Sequence, residues 1–146
     1  MIETKNDTIT LAFTSPQNKC SIGVGAIIRK NNQILLVQEA NGPARYSWAF
    51  PAGLLQENET IQAGIKREIQ EEIGIDSLFK SIIFFGQQPL SRWGKQDFYF
   101  GCEVEIFQND FKICQYELLD CKWWNIDQIH SLQLTPITRI GLPYIL

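Results

Sequence analysis

Isoleucines recur at Ile61, Ile65, Ile69 and Ile73, which at 100° per residue places them at about 0°, 40°, 80° and 120° on one helical stripe. Thr60 supplies an N-cap and Gly74 the position just past the end, so the pattern predicts a helix over 61–73. Upstream, Ser21 to Arg29 (SIGVGAIIR) is apolar almost throughout. It predicts a strand buried on both faces, with two glycines admitting a close backbone approach. Asn31-Asn32 suits a tight turn, after which Ile34 to Val37 returns as the second strand of a hairpin. Ile82 to Phe85 and Asp97 to Phe107 read as further strands, and Cys121 to Trp124 as a short one. Within it Trp123 and Trp124 face opposite sides. Asn125 suits the cap of a brief helical turn, and Thr135-Pro136 forms an N-cap and first-position pair for a last helix that Gly141 and Pro143 cut short. Strands mixed with two helices predict an α/β or α+β class.

Composition narrows this further. At 146 residues and 45% hydrophobic the chain fits one domain over 21–146 behind a polar arm at 1–20. Thirteen bases against sixteen acids leave −3, which gives no global field toward nucleic acid or an anionic membrane. No apolar run approaches the roughly 18 residues of a membrane helix. The opening MIETKNDT has neither signal-peptide nor transit-peptide character. Cys20, Cys102, Cys114 and Cys121 form no C-x-x-C pair, which fits reduced thiols and a cytoplasmic protein. His130, the sole histidine, stands far from the acids in sequence, which disfavours zinc.

The chemistry concentrates on the predicted helix. Glu68, Glu71 and Glu72 fall on one arc beside the isoleucine stripe, at about 340°, 280° and 20°. Glu68 and Glu72 are like charges four apart, and Glu71 and Glu72 lie where the helix dipole disfavours anions. Only Arg67 stands near to compensate, and residues 53–75 hold five acids against two bases. A solvated acidic face is the bland account of such a run. Placement against the core stripe at the unfavourable helix end favours a divalent cation, Mg²⁺ or Mn²⁺, on hard oxygen ligands.

These residues spell a known signature. Gly53, five residues, Glu59, seven residues, then Arg67-Glu68-Ile69-Gln70-Glu71-Glu72-Ile73-Gly74-Ile75 resembles the Nudix box at every defined position. Trp48 to Gly53, Asp120 to Trp124 and Thr135 to Thr138 extend the likeness over roughly residues 20–140. Gly86-Gln87-Gln88 and Gly94 to Asp97 look closest to the animal and plant branch that includes the antisense fibroblast-growth-factor Nudix protein. The resemblance implies an α/β/α sandwich with a mixed sheet, and Mg²⁺-dependent hydrolysis of a nucleoside diphosphate linked to another group. By family role Glu68, Glu71 and Glu72 hold metal, together with a carbonyl of Ala52 or Gly53, and Arg67 pairs with a carboxylate such as Glu59. Gly64 departs from the usual alanine, at a helix-propensity cost of up to about 1 kcal/mol. The Gly141/Pro143 break is a second departure.

Water attack at phosphorus then calls for a base, with Glu68 or Glu71 orienting or deprotonating the water and Glu117 of a later loop as the alternative. Arg45 suits either a phosphate clamp or a solvated loop arginine. Trp93 suits base stacking or a partly buried contact. ADP-ribose, NADH or a nucleotide sugar is the preferred substrate. A (deoxy)nucleoside triphosphate, or a non-catalytic module binding nucleotide or protein, is the alternative. The family often dimerises, and the apolar tail Leu142 to Leu146 is a candidate contributor.

Overall fold

The computed structural model describes residues 20–88 and 96–146; Trp93 and nearly all of the N-terminal arm lie outside them. Strand β1 (Cys20–Ile27) is the predicted apolar run, and Val24 to Ile28 are enclosed on both sides. Asn31 takes a φ of 56°, a left-handed conformation that asparagine tolerates. There β2 (Arg29–Lys30) turns back onto β3 (Gln33–Glu39). Two short strands follow, β4 (Trp48–Ala49) and β5 (Ala52–Leu54), then helix α1 (Ile61–Ile73). Next come β6 (Leu78–Gln88), β7 (Gln96–Glu105) and β8 (Leu118–Asn125). A 3₁₀ segment (Ile126–Ser131), helix α2 (Pro136–Gly141) and a 3₁₀ turn (Leu142–Tyr144) complete the chain.

One sheet runs β5-β1-β7-β6, with β1 and β7 parallel and the remaining pairs antiparallel. In the other, β3 pairs with β8 along its length and with the short β2 and β4 near its ends. α1 lays Ile65, Ile69 and Ile73 against Val24, Ala26, Val37 and Cys102 in one core. The C-terminal segment closes a second core around Phe50, Phe84 and Tyr99. Helix, one mixed and one antiparallel sheet, and helix make the α/β/α sandwich, and each buried isoleucine of the stripe is worth roughly 1.5–3 kcal/mol.

The structure moves several boundaries. β6 extends beyond Ile82–Phe85 because its ladder to β7 shifts register twice, which breaks the alternation that marks a strand in sequence. β8 is longer than Cys121–Trp124 because it follows the whole of β3. Trp123 and Trp124 do face apart, one packing on each core. The β1 glycines admit a side chain rather than backbone: a Cβ on Gly25 would stand 1.6 Å from Tyr99 Oη. Of the tail, Leu142 and Ile145 are buried in this chain's own second core, while Pro143, Tyr144 and Leu146 stay exposed.

Asn125 and Thr135 occupy N-cap positions without making a side-chain cap bond. Thr135 Oγ1 pairs with Thr138 Oγ1 at 2.8 Å, and that buried hydroxyl accepts the Phe50 N–H at 3.2 Å. Thr138→Val is therefore expected to lower stability by about 1–3 kcal/mol by orphaning a buried donor, measured as a drop in denaturant midpoint at unchanged m-value.

Candidate active site

The predicted helix ends are observed. Thr60 Oγ1 accepts from the Ala63 N–H at 3.1 Å, and Gly74 closes the helix at a φ of 70°. Arg67, one turn and a half into α1, ties the preceding loop down. Its Nε and Nη2 donate to the two Glu59 oxygens at 2.7 and 2.9 Å, and Nη2 also donates to the Leu54 carbonyl at 3.0 Å. Glu59 accepts the Gln56 N–H as well, at 3.0 Å. The guanidinium hydrogen bonds hold the Glu59 carboxyl at about 2, as expected of a carboxylate in a bidentate pair. Gly64 does more than weaken the helix. A Cβ there would stand 2.2 Å from Leu55 Cδ2 and 3.1 Å from Glu59 Oε1, so its bareness lets this loop close on α1.

The three helix carboxylates divide sharply. Glu72 is 6% exposed and accepts the Ala52 N–H at 3.0 Å. Burial pushes its carboxyl up to about 9 against the pull of that bond, with Glu39, Glu68 and Glu117 adding to the rise. Glu68 is largely covered, and burial raises it too, opposed by Arg67 Nη1 at 2.8 Å. Glu71 stands outward, 57% exposed, held by the same Nη1 at 3.1 Å. Gly53 faces Glu68 so closely that a Cβ would lie 2.0–2.2 Å from its carboxylate atoms. The signature's first glycine is thus the surface on which one of its acids rests.

Two further acids come from elsewhere in the chain. The turn ahead of β8 is fastened to the end of α1 by Cys114 N–H donating to the Glu72 carbonyl at 2.9 Å. It is fastened to the end of β3 by Ala40 N–H donating to the Glu117 carbonyl at 3.0 Å. Glu117, expected as a base, therefore stands beside Glu39, which pattern reading missed. Glu39 is half-buried, and burial followed by Glu117 raises its carboxyl. The final residue of a strand carries no local signal of such a role. Burial of Tyr99 leaves its hydroxyl without a hydrogen-bond partner and with its pKa raised, partly by Glu72 and Glu39.

Four carboxylates, Glu39, Glu68, Glu72 and Glu117, thus converge from three elements, while Arg67 is engaged with Glu59, Glu68 and Glu71. Anionic oxygens crowded around a buried acid with one neutral donor fit a hard divalent cation. Among the described residues no three His, Cys, Asp or Glu side chains already form a closed metal-holding set. Arg67 draws Glu68 and Glu71 to itself instead. Arg45 is exposed, its guanidinium 5.0 Å over the Tyr46 ring.

The NUDIX domain family model matches residues 21–144. This chain belongs to the Nudix family. "Nucleoside diphosphate-linked moiety X motif 6" of Xenopus laevis is 32% identical over 145 residues, covering 92% of this chain and 66% of its own. The chain spans 66% or less of the length of the first curated relatives it matches. A MutT Nudix hydrolase from Burkholderia pseudomallei superposes with a TM-score of 0.77 at 22% identity, over 88% of this chain and 100% of its own. The Nudix domain of Shewanella oneidensis NrtR, solved with ADP ribose, gives 0.72 at 16% identity, over 95% and 96%. Both structural likenesses establish the fold. Among the described residues no helix is long and apolar enough to cross a membrane.

Proposed function

We propose that this Nudix domain hydrolyses a nucleoside diphosphate linked to another moiety, with ADP-ribose, NADH or a nucleotide sugar ahead of nucleoside triphosphates. The observation that carries the reading is Glu72, a buried acid hemmed in by Glu39, Glu68 and Glu117, with no cation paired to it among the described residues. Glu68 and Glu72 are the principal residues assigned to Mg²⁺ or Mn²⁺, with Glu71 and a carbonyl of Ala52 or Gly53 beside them. When bound, the cation neutralises phosphate oxygens and makes water a better nucleophile.

The chain's own residues supply position and proton transfer. Ala52 N–H fixes Glu72, Gly53 seats Glu68, and Arg67 keeps the loop on the helix. Water attacks one phosphorus, the bond from that phosphorus to the bridging oxygen breaks, and the water proton passes to a carboxylate. Glu68 and Glu117 suit that base better than Glu71, which Arg67 holds outward. Arg45 is the side chain assigned to phosphate contact by charge-assisted pairing.

The test is a product assay with magnesium on ADP-ribose, NADH, a nucleotide sugar and dGTP. AMP from ADP-ribose or NADH, and turnover of dGTP at least about tenfold slower, is the expected result. Cation binding with no turnover of any member would replace the hydrolase with a binding module.

A further inference from the structure

Across β5 from the carboxylates lies a cavity of about 350 Å³. Ala52 and Gly53 form its near wall, the same residues that hold Glu72 and seat Glu68. The Tyr99 ring lies over the bare backbone of Gly23 and Gly25 and walls the β1 side. The far end is one row across three strands. Ser21 of β1 and Gln88 of β6 are both register partners of Asp97 in β7, and register partners project from the same face of a sheet. All three line the cavity.

Ser21 Oγ donates to Asp97 Oδ1. That bond orients the carboxylate and leaves the acceptor capacity of Oδ2. Gln88 brings an amide donor and acceptor alongside. The row at Gly25, which pairs with Ala52, lies four residues along β1 from Ser21, roughly 13 Å at about 3.3 Å per residue. A substrate with its pyrophosphate at Glu72 and its nucleoside passing over β5 beside the Tyr99 ring has about that distance to span to bring the outer edge of its base to Asp97.

We propose that Asp97, oriented by Ser21 and flanked by Gln88, is a specificity-determining residue that selects an amino-bearing purine. The exocyclic N–H donates to the carboxylate, and a ring nitrogen accepts from the Gln88 amide. This rests on the nucleotide-hydrolase reading. The physical source of selectivity is the cost of leaving an acceptor unpaired once the bound base covers it, which punishes a base lacking the donor more than the bond rewards the correct one.

Calorimetric binding in the presence of magnesium separates the two readings, because it needs no turnover. The probes are AMP and purine riboside 5′-monophosphate, which differ only in the amine. Wild-type protein is expected to bind AMP at least about tenfold more tightly. Asp97→Asn keeps the acceptor for Ser21 and turns an N–H toward the ligand. It should bring the two affinities within about threefold by weakening AMP alone, with its melting temperature near wild type. Gln88→Ala serves as the second variant and should weaken both nucleotides. Equal binding of both probes by wild type, or an Asp97→Asn ratio like the wild type's, overturns the assignment of Asp97 and leaves hydrolysis standing. Failure of both probes to bind overturns this pocket. Failure of every substrate in the turnover panel overturns the hydrolase reading.

Discussion

Glu72→Gln is expected to lower turnover by about a hundredfold or more while leaving the domain folded and, above neutral pH, more stable. The amide oxygen still accepts the Ala52 N–H, so the geometry at β5 persists. What disappears is the charge a cation requires. In the cation-free protein the Glu72 carboxyl ionises only near pH 9, against 4.5 for an ordinary glutamate. The folded state therefore holds a proton that the unfolded chain releases. Its contribution to stability is full below about pH 4.5, shrinks as the pH rises, and is lost through about pH 9. Glu68 and Glu39 are raised by burial and act in the same direction. Melting curves in chelator should show wild-type stability falling by a few kcal/mol across that window. Magnesium should restore the wild type, and Glu72→Gln should flatten the fall and ignore magnesium. A wild-type turnover rate in this variant would remove Glu72 from the site.

Gly53→Ala is expected to separate activity from stability. The new methyl group would meet the Glu68 carboxylate at 2.0–2.2 Å. The backbone of Gly53 is not in the left-handed region, so alanine fits the chain conformation, and the flexible end of Glu68 is what gives way. A catalytic group displaced by about 1 Å can cost about a hundredfold in rate. The expected outcome is a kcat loss of about that size with a melting temperature within a few degrees of wild type. Added magnesium should recover little, because the oxygen has moved rather than lost its charge. A variant with normal kcat would show that Glu68 need not rest against Gly53.

Helix α1 shows how much was legible in the chain. Its isoleucine period, the Thr60 cap, the Gly74 stop and the crowding of Glu68, Glu71 and Glu72 all depend on neighbours within four residues. The structure reproduces each of those helix features at the predicted position. The carboxylates are equal in sequence because the helix fixes only their direction. Burial then ranks them, with Glu72 enclosed and Glu71 drawn outward by Arg67. The strand ends were less visible, since the two register shifts in β6 erase the period that would announce it.

By itself the sequence determined the local elements, the family signature and the acids on α1, because periodicity and capping act through near neighbours along one segment. Only the tertiary structure placed Glu39 and Glu117 beside Glu72, and aligned Ser21, Asp97 and Gln88 in one row. Those meetings depend on which strands pair and in what register, and that is settled by packing among segments up to 78 residues apart (Glu39 and Glu117).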